Sequence, residues 1–292
     1  MLFAQKSILY KYCMKKIVCF GDSFIDSTSW FGKNASSIST MLQQKLNIPL
    51  VNYGLVGSSI QYSLLKFLEY TKSEIYDPND LILFVITNKN RFYKQDLDIH
   101  ISGVRQTPHI INDYKSKVTN PNLTDTEVRL FYQKILYLEE NEKYIDWSCM
   151  HFNEFDIDIE SLTCLGLLNT WATSKTNKLI VMNAFALDNN TWDQSSVFKQ
   201  SANFLPILLK GGLKKYSVNE FIDKEISSLN WQEECRINHF SPDNREIISD
   251  MLVKVISHND SSVFDTELIN TSMYNDFVDI KIKYGLVPHQ FI

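Results

Sequence analysis

Glycine and proline are scarce in this chain, 9 and 7 among 292 residues, which excludes collagen-like repeats and long flexible linkers. Cysteine is sparse too. Cys13, Cys19, Cys149, Cys164 and Cys235 are an odd number with no C-x-x-C spacing, so neither a disulfide framework nor a zinc site is expected, and the thiols read as free core residues in a reducing compartment. No apolar run approaches the ~20 residues of a helical membrane span; the longest strongly apolar one is Leu81 to Ile86. No signal peptide is read at the start, where Gln5, Lys6 and Lys11 interrupt residues 1–14 and no small-residue cleavage site follows. The expected location is therefore cytoplasmic or, for a virion component, virion-associated.

Excess charge of one sign is missing as well. Lys and Arg number 29 against 34 Asp and Glu, a net −5, without the basic stripe of a nucleic-acid binder. The doublets Lys15-Lys16 and Lys214-Lys215 read as solvated surface. The phosphate-cradling P-loop and the dinucleotide glycine fingerprint are both absent, so no nucleotide cofactor is expected. His100, His109, His151, His258 and His289 show no metal-ligand spacing, and His100 and His109 read as solvated residues of a polar loop. No metal and no cofactor is expected.

What is present is apolar surface to bury: 44% hydrophobic residues, 13% aromatic. That is enough for one large globular domain or two small ones. Lys16 to Phe20 (KIVCF) reads as a buried strand ended by Gly21. Ser36 to Leu46 has helical spacing, Leu50 to Tyr53 is a second strand, and Ser59 to Lys72 a second helix. The turn Asp77-Pro78-Asn79-Asp80 precedes Leu81 to Thr87, an uninterrupted apolar strand of the kind covered on both faces. A helix near Ile159 to Thr173, a strand at Lys178 to Met182 and a helix at Asp243 to Ile256 continue the alternation. Strand-helix-strand order predicts an α/β fold, a parallel sheet with helices on both faces.

Residues 1–14 read as an extension and 15–257 as the main domain. The stretch of about 92–156 is too long for an ordinary βα connection and reads as an insertion over one end of the sheet. It holds a polar loop at Lys115 to Thr126 and a helix at Glu127 to Glu140. Its aromatic residues Tyr132, Tyr137, Tyr144, Trp147, Phe152 and Phe155 could line a sugar cleft but read as core. Residues 258–292 read as a C-terminal arm able to pack on a protein partner.

Four short segments carry chemistry. Gly21-Asp22-Ser23-Phe24 follows the first strand, where open α/β sheets bind ligands. Ser23 there is either an exposed nucleophile or a helix cap. Asn52-Tyr53-Gly54-Leu55-Val56-Gly57-Ser58-Ser59 follows the second strand, and the Gly57 N–H ahead of a helix suits an oxyanion; a plain turn is the other reading. Thr87-Asn88 ends the third strand, with an amide that can donate to the same spot or simply form a turn. In Asn238-His239-Phe240-Ser241-Pro242-Asp243, a helix start at Ser241-Pro242 fixes the loop holding His239, a general-base candidate.

Together these segments resemble the SGNH, or GDSL-type, serine hydrolases over roughly residues 15–90 and 177–257. The resemblance implies a flavodoxin-like three-layer α/β/α sandwich and acyl transfer to Ser23 with His239 as base. It implies an oxyanion hole of the Ser23 and Gly57 N–H groups and the Asn88 amide. The substrate would be a small acyl or acetyl ester, for instance of a carbohydrate, with no metal, cofactor, nucleic acid or membrane involved. The G-x-S-x-G elbow of the α/β-hydrolases is absent, since Ile25 stands at its second glycine. Two departures stand out. Arg236 occupies the position where the family places the acid that orients the histidine, with Glu233 and Glu234 nearby, so the third member is unassigned. The family's G-x-N-D block reads Val85-Ile86-Thr87-Asn88-Lys89. They leave an alternative: a catalytically weakened SGNH-fold protein that binds or builds, such as a component of a phage virion, a setting consistent with the Asn-, Ile- and Lys-rich composition.

Overall fold

The structure is a computed structural model that describes residues 14–25, 37–86, 91–101, 107–151, 159–183, 203–207, 240 and 242–260. Five strands, β1 (Ile17–Phe20), β2 (Leu50–Asn52), β3 (Leu81–Ile86), β6 (Lys178–Asn183) and β7 (Phe204–Ile207), form one sheet in the order β2-β1-β3-β6-β7. Every neighbouring pair is parallel. This is the 2-1-3-4-5 doubly wound order, whose switch point lies between β1 and β3.

Side-chain alternation sorts the core into two layers. Ile17, Cys19, Leu81, Leu83, Val85, Ile180 and Met182 face helices α1 (Ile38–Leu46) and α6 (Pro242–His258) through Ile38, Leu42, Ile248, Leu252 and Val255. Val18, Phe20, Ile82, Phe84, Leu179 and Val181 face α2 (Ile60–Lys72) and α5 (Ile159–Thr173) through Phe67, Tyr70, Leu165 and Leu168. Covered on both faces, β1, β3 and β6 are wholly buried, which is why β1 and β3 are unbroken apolar runs and β6 is apolar between Lys178 and Asn183. The helices start where their caps dictate: the Ser37 and Ser59 hydroxyls accept from the Thr40 and Tyr62 N–H groups.

The stretch after β3 has its own cluster. Strands β4 (Phe92–Lys94) and β5 (Ile99–Ile101) form an antiparallel hairpin around a 3-10 turn at Gln95–Leu97. Helices α3 (Thr107–Val118) and α4 (Asp125–His151) pack beside it. Ile99, Ile101, Ile111, Ile135, Leu138 and Ile145 make the cluster.

Several expectations are corrected here. Residues 115–118 belong to α3, not to a polar loop, because Ile110, Ile111, Tyr114 and Val118 recur at helical spacing and pack on the cluster. Helix α4 runs well beyond Glu140. His100 lies on β5 and His109 on α3, not in a loop; His109 is exposed. The His100 ring sits 4.7 Å from Tyr93 and 4.8 Å from Tyr62, and burial lowers its pKa although Asp98 opposes this. Tyr132 and Tyr144 are exposed rather than core, as is Leu136 of the same helix. Tyr137 is partly buried against the cluster. The hairpin and β7 were not foreseen: three-residue strands are too short to show a period, and Pro206 obscures β7, which tolerates it as an edge strand. Cys19 and Cys164 are buried thiols outside any disulfide, as expected; Cys13 and Cys235 lie outside the described residues. So do residues 1–13 and 261–292, which hold nearly all of the expected extension and arm, and His289, Phe152 and Phe155.

Candidate active site

The site candidate grows from one glycine at the switch point. Gly21 follows β1 with φ +151°, and a Cβ there would stand 3.1 Å from both the Cβ and the carbonyl oxygen of Val85 on β3. Only glycine fits both the backbone and the space. The chain then turns tightly: the Ile25 N–H donates to the Asp22 carbonyl at 3.0 Å and the Phe24 N–H to Asp22 Oδ1 at 3.2 Å. Asp22, Ser23, Phe24 and Ile25 are all buried. The Ile25 carbonyl closes the turn by accepting from Ser39 Oγ and Asn52 Nδ2, both at 2.7 Å. The turn is thereby pinned to α1 and to the end of β2.

The loop after β2 is pinned to the same turn. The Tyr53 N–H continues the β1 ladder to the Cys19 carbonyl at 2.9 Å, and the Leu55 N–H reaches the Gly21 carbonyl at 3.1 Å. Ser58 Oγ donates to that same carbonyl at 3.1 Å. Asn52 Oδ1 accepts from the Gly54 N–H at 2.8 Å, and Gly57 takes φ +75°, a conformation other residues rarely adopt. So the loops of Ser23 and Gly57 meet at one oxygen, Gly21 O.

Two described residues that flank the other segments in sequence, Arg91 and Phe240, contact this turn. Arg91, three residues after Asn88, sends Nη1 to Asp22 Oδ2 at 2.5 Å and to the Ser58 carbonyl at 2.8 Å. Its side chain is 8% exposed and that of Asp22 fully buried. Phe240, one residue after His239, is buried and sets its ring edge-on to Phe24, centroids 4.7 Å apart. Asn88 and His239 themselves lie outside the described residues, as do Arg236, Glu233 and Glu234. Pro242 is the first residue of α6, as expected; Ser241 lies outside.

Ser23 is 3% exposed, which corrects the expectation of an exposed hydroxyl: the tight turn draws it inward with its neighbours. Burial pushes the Cys19 thiol far up, so that side chain stays a protonated core thiol. No group of three or more His, Cys, Asp or Glu that could hold a metal occurs among the described residues. Sequence reasoning passed over Arg91 and the double role of Asn52, and also Asn183, a buried Asn at the carboxyl end of β6 opposite Ile86. A polar residue closing an apolar strand was the available signal for Asn52 and Asn183; for Arg91 there was none.

No family model and no curated protein matches the chain. Two solved structures are similar to it in outline. One is described as "The active site of a carbohydrate esterase displays divergent catalytic and non-catalytic binding functions", with 11% identity and a TM-score of 0.35 over 86% of this chain and 66% of that one. The other is an acetyl xylan esterase from the rumen bacterium Butyrivibrio proteoclasticus, with 9% identity and a TM-score of 0.33 over 84% of this chain and 64% of that one. The chain thus spans just under two thirds of the length of each. No helix among the described residues is long and apolar enough to cross a membrane.

Proposed function

We propose that the chain is a serine ester hydrolase of the SGNH type acting on a small acyl or acetyl ester, with acetylated carbohydrates as the first class to try. The supporting observation is convergence on Gly21–Ile25. The Gly57 loop bonds the Gly21 carbonyl, Arg91 bonds Asp22 from just after Asn88, and Phe240 packs on Phe24 from just after His239. Ser23 Oγ attacks the ester carbonyl while His239 takes its proton. The Ser23 and Gly57 N–H groups and the Asn88 amide hold the tetrahedral oxyanion, each donor contributing about 3–4 kcal/mol in the transition state. Collapse expels the alcohol, protonated by His239, and water then releases the acid by the reverse proton path. Arg236 in the usual acid position makes this a Ser–His dyad, or a triad completed by a group outside the matching motif.

Labelling with a fluorophosphonate, read by intact mass and peptide mapping, tests the reading. One label at Ser23 is expected, together with a loss of ester turnover in Ser23→Ala of at least about 10³-fold. The near-complete burial of Ser23 favours a second reading, a non-catalytic binding protein on the same fold. Folded protein that neither labels nor hydrolyses acetylated sugars would select it.

A further inference from the structure

We propose that Arg91 is a positioning residue for the oxyanion hole: it clamps the Ser23 turn to the Gly57 loop, a role that rests on the esterase reading above. The two donors expected from backbone, Ser23 N–H and Gly57 N–H, belong to different loops. Catalysis by such donors depends on their spacing being fixed before the charge develops. Arg91 touches the residue next to each. One nitrogen, Nη1, bridges Asp22 Oδ2 at 2.5 Å and the Ser58 carbonyl at 2.8 Å, so a single guanidinium group spans both loops. The clamp sits beside Gly21 O, where Leu55 N–H and Ser58 Oγ already meet. Those two bonds hold the backbone of the loops together; the Arg91 contact adds a charge. With the Asp22 side chain fully buried and that of Arg91 nearly so, the pair attracts strongly and resists sliding. Arg91 immediately precedes β4, so the hairpin and its helical neighbours supply the clamp. The insertion, which begins at the next residue, thereby anchors the backbone that carries the clamp.

The test uses the full chain with Arg91→Leu, Arg91→Lys and, as a distant control, Lys45→Gln, whose ion pairs with Glu246 and Asp250 join α1 to α6. Fluorophosphonate labelling rate, kcat and KM on an acetyl ester, and amide hydrogen exchange of peptides spanning 20–25, 53–59 and 81–86 are measured together. For Arg91→Leu, kcat and labelling rate are expected to fall about 100-fold, the scale of one lost oxyanion donor, with KM within about threefold. The 20–25 and 53–59 peptides should exchange faster and 81–86 should not. Arg91→Lys should recover at least about tenfold of the loss, because an ammonium keeps the charge and can donate to both oxygens. Should Arg91→Leu fail to fold, Arg91→Gln with Asp22→Asn replaces the ion pair by a neutral pair. That double variant is expected to fold and still to lose at least about tenfold in kcat. A folded Arg91 variant lacking the charge but keeping wild-type kcat, labelling and loop exchange overturns the clamp while leaving the esterase reading standing. Wild-type protein that neither labels nor turns over esters overturns both.

Discussion

The two ends of the sheet each bury an aspartate against a cation, and they use the pair differently. At the amino end, Asp80 Oδ2 receives Lys16 Nζ at 2.8 Å, the Tyr70 hydroxyl and the Asp77 N–H at 3.1 Å. Lys16 also reaches the Ile75 carbonyl at 2.7 Å, and Asn177 donates to the Asp77 and Asp80 carbonyls. This knot ties the start of β1 to the turn before β3 and the start of β6. No glycine with positive φ lies in it, and no candidate nucleophile adjoins it. At the carboxyl end, the Arg91–Asp22 pair links loops from three strand ends, beside a glycine held at φ +151° and a serine. Similar electrostatics serve cohesion in one place and alignment in the other. The difference lies in the neighbours, since a buried ion pair by itself is weak evidence of net stability.

Breaking the amino-end knot should have the largest effect on folding. Asp80→Ala removes three bonds and leaves Lys16, itself only partly exposed, without its carboxylate. A loss of about 3–5 kcal/mol in urea unfolding is expected, as for other broken buried pairs. The labelling rate of Ser23 in the molecules that remain folded should be unchanged. A labelling rate that fell with stability would show that the two ends are not separable.

Gly21→Ala attacks the other end. The new Cβ meets the β3 backbone at 3.1 Å in a conformation L-residues avoid, so unfolding should become easier by about 1–3 kcal/mol. The labelling rate should fall by about 100-fold, because the turn carrying Ser23 must shift from its partners. Equal and small losses in both measurements would remove Gly21 from any functional role.

These expectations also mark what could be foreseen from sequence. The buried strands were legible because parallel strands covered on both faces keep polar residues out of their middles, as in Leu81–Ile86 and in Leu179–Met182. The two-sided α/β order followed from their spacing. The Ser23 and Gly57 segments were legible as turns because glycine follows the strand in each, Gly21 after β1 and Gly54 and Gly57 after β2. What failed was tertiary. Helix α3 hides its apolar stripe among Asn, Asp and Lys residues, and each hairpin strand has three residues. Arg91 became visible only when folding brought residues 22, 58 and 91 together, since charge in a sequence carries no address. His100 looked like a solvated loop residue because the tyrosines that surround it, Tyr62 and Tyr93, are far apart or on an unforeseen strand.

Lys178 offers the smallest and most pH-dependent way to sharpen the contrast between the ends. It stands at the start of β6, 5% exposed, and its Nζ donates to the Ile256 carbonyl in the last turn of α6 at 2.8 Å. Burial lowers its pKa from 10.5 to about 8. Below pH 8 the amine is charged in both the folded and the unfolded chain, and folding bears the full cost of burying it. Between pH 8 and 10.5 the unfolded chain holds a proton that the folded chain lacks, so this group makes stability rise with pH across that window. Lys178→Met removes the cost but leaves the Ile256 carbonyl without its donor. The two effects partly cancel, and a net gain of about 1 kcal/mol at pH 7 is expected. That gain should shrink as pH rises toward 10.5, when wild type recovers. Parallel urea titrations of the two proteins at pH 7, 8.5 and 10 read the difference directly and cancel the contributions of other groups that titrate there in the unfolded chain, Cys19 and Tyr70 included. A variant less stable at every pH by the same amount would mean that the lysine is a structural donor and that its charge costs folding nothing. A gain that fades with pH would show the amino end accepting an apolar substitute for a cation, whereas the carboxyl end requires its own at Arg91.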